Sequence, residues 1–181
     1  MSILETERLQ LRQFNPNDLD DYHQQLFNDP DVMKTLPFGK PIPREETEAM
    51  LNRRLDHWKR HGFGLWAVIY QPDQQFIGHC GLQYLADTPE VELGYAIAKA
   101  YWGRGLVTEG AKASLKYGFE TIGLDRIVAI TAHTNFASQR VMTKVGLSYI
   151  KDAHYYGHDV VYYAISREEF ALKTTSERLE L

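Results

Sequence analysis

The chain has 181 residues, 44% of them hydrophobic and 24% charged, with a net charge of −4, which suits one ordinary globular domain with a proper core. The mild acidity, with no basic excess or patch, argues against nucleic acid as a partner, and no apolar run approaches the ~20 residues of a membrane span. The single cysteine, Cys80, excludes a disulfide framework within the chain and suits a reducing cytosol.

The start of the chain, Met-Ser-Ile-Leu-Glu, lacks the basic region and apolar stretch of a signal peptide, so a cytoplasmic protein is expected. Leu9, Leu11 and Gln13 alternate with Arg8, Gln10 and Arg12, predicting a half-buried strand over Arg8 to Phe14. Asn15-Pro16-Asn17-Asp18 supplies a cap residue, a first-turn proline and acids, so a helix should follow, to about Phe27. From Asn28 to Pro43 the pattern is a long loop stiffened by prolines. Arg44 to His61 reads as a helix with Met50, Leu51, Leu55 and Trp58 at helical spacing and Gly62 as its stop. Its charges, Arg44, Glu45, Glu46, Arg53, Arg54 and Asp56, read as a solvated face. Leu65 to Tyr70 and Phe76 to Leu85 are two strands joined by the turn Gln-Pro-Asp-Gln-Gln. Cys80 lies in the second and His79 points to the opposite face, so no paired base is available to a cysteine nucleophile. Cys80 reads as a small packed residue.

The next strand, Val91 to Ala98, places Val91, Leu93, Tyr95 and Ile97 on one face and Glu92, Gly94 and Ala96 on the other. A carboxylate followed by two small residues leaves room for a ligand; a solvent-facing strand carboxylate is the plainer reading of Glu92. Trp102-Gly-Arg-Gly-Leu-Val-Thr108 then turns into a helix expected from about Leu106 to Ile122, with Val107, Ala111, Leu115, Gly118 and Phe119 at core spacing and Gly123 as its end. Gly103 and Gly105 allow a ligand close to the backbone. The first amides of the helix point outward at the positive end of its dipole, a place that phosphate commonly occupies. A lone Gly-x-Gly is equally an ordinary helix entry. It is neither a P-loop, which continues Gly-Lys-Ser/Thr, nor a dinucleotide fingerprint, whose third glycine is replaced by Thr108. Glu109, in the first turn, reads as structural.

Arg126 to Ala132 is a buried strand, and Asn135 caps a helix over Phe136 to Val145. Leu147 to Tyr156 and Val160 to Ile165 form a hairpin around Gly157-His158-Asp159, Ser166-Arg-Glu-Glu-Phe starts a short capped helix, and Lys173 to Leu181 reads as a polar tail. No cluster of Cys, His and Asp has metal-ligand spacing.

Glu92-Leu-Gly-Tyr, Trp102-Gly-Arg-Gly and Asn135-Phe-Ala-Ser-Gln-Arg-Val-Met-Thr-Lys-Val-Gly-Leu147, in that order, closely resemble the GNAT superfamily of acyl-CoA-dependent N-acyltransferases. Within it the chain looks like the RimJ/RimL-type branch, which acetylates protein N-termini. The resemblance spans nearly the whole chain, from Thr6-Glu-Arg-Leu-Gln-Leu-Arg to Asp159-Val-Val-Tyr-Tyr-Ala-Ile. It implies one α/β GNAT domain over 1–181, with a mixed central β-sheet of six to seven strands, about four flanking helices, and 168–181 as a C-terminal tail. It also implies acetyl-CoA as co-substrate without a metal, an amine acceptor, and a monomer or homodimer. The acceptor is read as a protein or peptide N-terminus. A small amine such as a polyamine or aminoglycoside is the alternative, and a silent acyl-CoA-binding module a further one.

By the resemblance, pantetheine lies along the strand end at Ala96 and Ile97 in a gap left by a splayed neighbour. The pyrophosphate meets Gly103, Arg104, Gly105, Leu106, Val107 and Thr108, and Asn135 bonds the pantetheine. Arg104 is open to a second reading, as a solvated arginine, and the proline-rich loop is either a wall of the acceptor site or a plain connector. Trp102 and Val107 depart from the superfamily pattern, which has Gln or Arg and a small residue there. The tyrosine acid of many members is Met142 here, and the glutamate base of some is Ile130. The catalytic roles therefore fall to Glu92, taking the amine's proton through water, and to Ser138, donating to the leaving thiolate.

Overall fold

The computed structural model describes residues 3–179, with side chains through 175; Met1, Ser2 and the last two residues of the expected tail lie outside it. Eight strands form one sheet in the order β1-β2-β3-β4-β5-β6-β8-β7. They are β1 (Ile3–Glu5), β2 (Leu9–Arg12), β3 (Leu65–Tyr70), β4 (Gln75–Tyr84), β5 (Val91–Ile97), β6 (Arg126–Ala132), β7 (Ser148–Tyr155) and β8 (His158–Ser166). Neighbours run antiparallel except β5 and β6, which are parallel. The sheet is thus mixed, as expected, with one strand more: β1, only three residues long, carries too short a pattern to be seen in sequence.

Helical segments cover both faces. The expected helix after Asn15 is a composite: a 3₁₀ turn (Pro16–Asp18), α1 (Leu19–Tyr22) and a π turn (His23–Phe27). Asn15 Oδ1 accepts from the Asn17 amide at 2.9 Å and Asp18 Oδ2 from the Asn15 amide at 2.8 Å, closing a capping box. The loop expected from Asn28 to Pro43 contains a short helix, α2 (Pro30–Met33), capped by Asp29, whose carboxylate accepts from the Asp31 amide at 2.8 Å. The next helix, α3 (Arg44–His61), ends at Gly62 as expected. These elements pack Tyr22, Leu26, Phe27, Met33, Met50 and Leu51 against Ala67, Phe76 and Ala96 of the sheet. On the opposite face lie α4 (Leu106–Lys116), its continuing π turn (Tyr117–Ile122) and α5 (Phe136–Lys144). They bury Leu106, Ala111, Leu115, Phe119 and Met142 against Cys80, Leu82, Leu93 and Ile127.

The C-terminal helix, α6 (Arg167–Leu179), runs through the stretch read as a polar tail. It is docked rather than free: Phe170 packs on Phe119 with ring centroids 4.8 Å apart, and Lys173 Nζ donates to the Gly146 carbonyl at 2.6 Å. No helix among the described residues is long and apolar enough to cross a membrane.

Strand β4 approaches β5 closely at Gly78, which has φ +147° and pairs with Ile97. A Cβ there would sit 2.1 Å from the Ala96 carbonyl oxygen, backbone that cannot rotate away. Gly78→Ala is expected to cost about 3 kcal/mol or more in urea unfolding. A loss of only a few tenths would mean that β4 and β5 shift freely against each other.

Candidate active site

Where β5 meets β6 the sheet opens. The two strands share one register pair, Glu92 with Val128, whereas β4 matches β5 all the way from Tyr84–Val91 to Gly78–Ile97. Beyond Glu92 the β6-facing edge of β5 has no register pair among the described residues, which leaves main-chain groups of the kind a strand-like ligand uses. Ala96 and Ile97 lie at the open end. The Ile97 carbonyl is already engaged, accepting from the Trp102 indole at 2.8 Å. That bond gives Trp102 a positioning task at the turn that follows.

Gly103 and Gly105 both take left-handed backbone (φ +71° and +76°), and Gly105 is the N-cap of α4 without a side-chain cap. The first helical bond runs from the Glu109 amide to the Gly105 carbonyl at 3.1 Å, so the amides of Leu106, Val107 and Thr108 precede the helical ladder. Added Cβ atoms at these glycines would meet little, Arg8 Nη2 at 3.6 Å from Gly105 and nothing at Gly103, so it is the turn's conformation that calls for glycine. The guanidinium of Arg104 lies over Tyr70, 4.6 Å from its ring centre, and donates to its hydroxyl at 2.6 Å. Its side chain is exposed and rests on an aromatic ring, in keeping with the solvated reading. Val107 packs against the core, so its bulk is turned from the backbone cradle. Glu109 binds Thr6 Oγ1 at 2.6 Å, the Arg8 amide at 2.8 Å and the Arg8 guanidinium at 2.7 Å. Burial works to raise its pKa, but these partners together hold it below the usual value. Glu109 is the structural tie expected of it.

Glu92 is 6% exposed, which rules out the solvent-facing reading. Its Oε1 accepts from Gln83 Nε2 at 2.6 Å and from the Tyr156 hydroxyl at 3.4 Å. Gln83 Oε1 in turn accepts from Arg54 Nη1. Burial pushes the Glu92 carboxyl from its ordinary value near 4.5 to about 7, against the opposing pull of Gln83, the Arg54 charge and Tyr156. Sequence reasoning left Arg54 on the solvated face of α3, and the structure corrects this: Arg54 is half-buried and turned inward. A signal was present, since position 54 lies four after Met50, three after Leu51 and four before Trp58, all buried. Gln83 and Tyr156 were missed because their roles depend on strand register and on a distant turn.

Asn135 caps α5 as expected, its Oδ1 accepting from the Ser138 amide at 3.1 Å; its Nδ2 lies 3.4 Å from the Thr35 carbonyl. The loop after α2 thus reaches the start of α5. The Ser138 hydroxyl sits 2.9 Å from the Tyr95 hydroxyl, which is also 3.2 Å from the Ser138 carbonyl. Burial raises the Tyr95 pKa well above that of an ordinary phenol, keeping it a neutral donor. Tyr95 extends to the face of β5 opposite Glu92, so the two expected catalytic residues lie on opposite faces of the sheet. Met142 of α5 and Val145 just after it are core. A cleft of about 440 Å³ lines the outer side of α5 at Phe136, Gln139, Arg140, Thr143 and Lys144.

Cys80 is buried with its sulfur 3.6 Å from Ser114 Oγ, and burial pushes its thiol up to about 12, so it is a packing residue. His79 bonds the Tyr22 hydroxyl at 3.0 Å; burial and the Arg54 charge push it down to about 3. Among the described residues no group of three or more His, Cys, Asp or Glu could hold a metal ion.

Known proteins share the family and fold of this chain. The family model described as Acetyltransferase (GNAT) domain matches residues 8–148. The uncharacterized protein YkkB of Bacillus subtilis is 32% identical over 162 residues, covering 88% of this chain and 93% of its own. FsC-acetyl coenzyme A-N(2)-transacetylase of Aspergillus fumigatus is 27% identical over 173 residues, covering 83% and 70%. Among solved structures, RimL, a ribosomal L7/L12 α-N-protein acetyltransferase in complex with coenzyme A, superposes with a TM-score of 0.78 at 18% identity, over 91% of this chain and 98% of its own. At that identity it shares the fold. The chain belongs to the GNAT acetyltransferase family and is an acyl-CoA-dependent acetyltransferase.

Proposed function

We propose that the protein acetylates the α-amino group of a protein or peptide N-terminus, by direct attack of the free amine on acetyl-CoA in a ternary complex with Glu92 as the base. The observation that carries this reading is a buried carboxyl with a proton affinity near 7 beside the gap between β5 and β6. An α-ammonium, with pKa ~8, lies about one unit above it, and a lysine ammonium, at ~10.4, about three. Handing a proton to Glu92 is thus uphill by about 1.4 kcal/mol for an α-amine and about 4 kcal/mol or more for lysine. The Arg54 charge near Glu92 is unfavourable to polyamines and aminoglycosides. The likeness to RimL supports the reading at the level of fold, and the name of the Aspergillus relative is what favours a different amine.

Acetyl-CoA supplies the acetyl thioester. The residues that would hold it are the open edge at Ala96 and Ile97, the backbone of Gly103, Arg104, Gly105, Leu106, Val107 and Thr108, and Asn135. Glu92 Oε1 carries both of its donors, and Oε2, with none among the described residues, takes the amine's proton through water. The N–C bond forms as C–S breaks, and the departing thiolate meets a hydroxyl. When Tyr95 donates to Ser138 Oγ, the serine proton is free to turn toward the sulfur.

A screen for CoA release with N-terminal peptides, polyamines and aminoglycosides is expected to select peptides; turnover of small amines with the peptides inert would overturn the acceptor assignment.

Glu92→Gln is expected to slow the reaction by about 100-fold at low pH, where free amine is scarce, and to recover toward wild type at high pH. Equal loss at every pH would mean that Glu92 binds the acceptor instead. The same variant has a stability signature. A carboxyl whose folded pKa is raised loses stability as pH climbs from its unfolded value near 4.5 to about 7, so the wild type carries that cost in full above neutrality. Glu92→Gln should therefore be more stable by about 3 kcal/mol at pH ~8, with the gain fading toward pH ~4.5, in urea titrations.

Ser138→Ala is expected to lower kcat by about 10- to 100-fold with acetyl-CoA affinity little changed, and Tyr95→Phe to lower it less. Full kcat in Ser138→Ala would reduce the serine to a helix residue.

A further inference from the structure

The polar cluster around Glu92 reaches deeper into the protein than the proposed reaction requires. Helix α3 sends Arg54 inward along the stripe that carries Met50, Leu51 and Trp58. An arginine in such a place ordinarily meets a carboxylate, because an unpaired buried charge is costly. Among the described residues no carboxylate lies within ion-pair distance of it, and its buried Nε has no acceptor. It donates to the Gln83 carbonyl oxygen, and the Tyr22 hydroxyl is a further neighbour.

That contact fixes the amide. Arginine only donates, so the atom of Gln83 facing it must be oxygen, and the NH₂ group must face the other way. The other way is Glu92, directly opposite Gln83 in the β4–β5 register, at 2.6 Å. Cation, amide and carboxyl therefore form a chain with one polarity. Tyr156 enforces the same choice of oxygen. Its hydroxyl oxygen accepts from the Ala86 amide at 2.8 Å, which leaves its proton for Glu92 Oε1. Both donors converge on Oε1, and Oε2 is left to act.

We propose that Arg54, acting through the Gln83 amide, is a positioning residue that keeps Glu92 ionised and holds its second oxygen toward the acceptor. This rests on the reading of Glu92 as the base. The groups facing Glu92 are Gln83 from β4, Arg54 from α3, Tyr156 from the β7–β8 turn and Val128 from β6, with Tyr22 and His79 beyond Arg54. Burial raises the Tyr22 pKa and lowers that of His79 to about 3, so both are neutral around pH 7. Arg54 is left as the charge that favours the carboxylate. A hydrogen-bonded amide passes on its field in a low dielectric better than water would. Burial of the cation is then useful because its neighbour must lose a proton near neutrality.

The test is a direct titration of protein labelled with ¹³C at the glutamate carboxyl carbons, with Glu92 identified as the resonance that Glu92→Gln removes. Its midpoint should lie near 7 in the wild type. Arg54→Met and Gln83→Leu should each move it up by about one unit, and the double variant should move it no further than the larger single change, as links in series require. The acid limb of kcat/KM for an N-terminal peptide should follow the midpoint, while acetyl-CoA affinity, measured by calorimetry, stays at the wild-type value and reports an intact fold. Should Arg54→Met fail to bind acetyl-CoA, Gln83→Leu alone decides the matter. A midpoint that stays at the wild-type value, or shifts that add in the double variant, would overturn the relay. A midpoint that moves while the acid limb stays put would leave the relay standing and overturn Glu92 as the base.

Discussion

One register pair between β5 and β6 governs the rest of the molecule. Parallel strands ordinarily bond along their whole length, and main-chain groups left unpaired inside a sheet are costly. Here the pairing stops after Glu92–Val128, in the middle of an eight-stranded sheet. Such an opening survives because the flanking pairs are complete: β4 with β5 on one side, β6 with β8 on the other. Trp102 satisfies one main-chain group of this edge by donating to the Ile97 carbonyl. The open edge, the glycine turn and the start of α4 follow one another along the chain, so a ligand that enters the gap at one end finds amides of a helix N-terminus at the other.

The sheet's two faces then divide the chemistry. The face under α3 carries Glu92, Gln83 and, from the helix, Arg54; the face under α5 carries Tyr95 with Ser138. In a closed sheet these groups could not act on a common atom, and in the proposed reaction the gap is what would let them. Glu92, as the proposed base, would part with and regain a proton near neutrality from a buried site biased by a cation. The hydroxyl pair has only to donate, and burial keeps the Tyr95 phenol protonated.

Burial of Glu92 illustrates a common conflict between stability and activity. A carboxyl held at a pKa of about 7 would make a more stable protein as a glutamine, and in the proposed role of base it would titrate near its working pH. Arg54 with its unpaired Nε belongs to the same conflict. Elsewhere the charges are paired in ordinary ways, as in Arg8 with Glu109 and Arg12 with Asp18, which fasten β2 to α4 and to the capping box. Local rules are broken where the reaction is proposed and kept where the fold is held.

Much of this was legible from local pattern. The period-2 run of Val91 to Ile97, the 3.6-period run of α3 and its glycine stop, the cap at Asn135 and the order of elements are properties of short stretches, each readable without a partner. The three spaced motifs pointed to the family for the same reason. Other features are set by residues far apart. Short β1 exists only because β2 lies beside it, and α6 extends past its expected end because Phe119 and Gly146 receive it. Glu92 has its proton affinity because α3 and the β7–β8 turn close over it. The Arg54–Gln83 link forms because an 18-residue helix crosses a strand pair at one register. Spacing along the chain determines which face a side chain occupies; which group it meets there depends on the packing of whole elements, and burial, bond partners and pKa come with it.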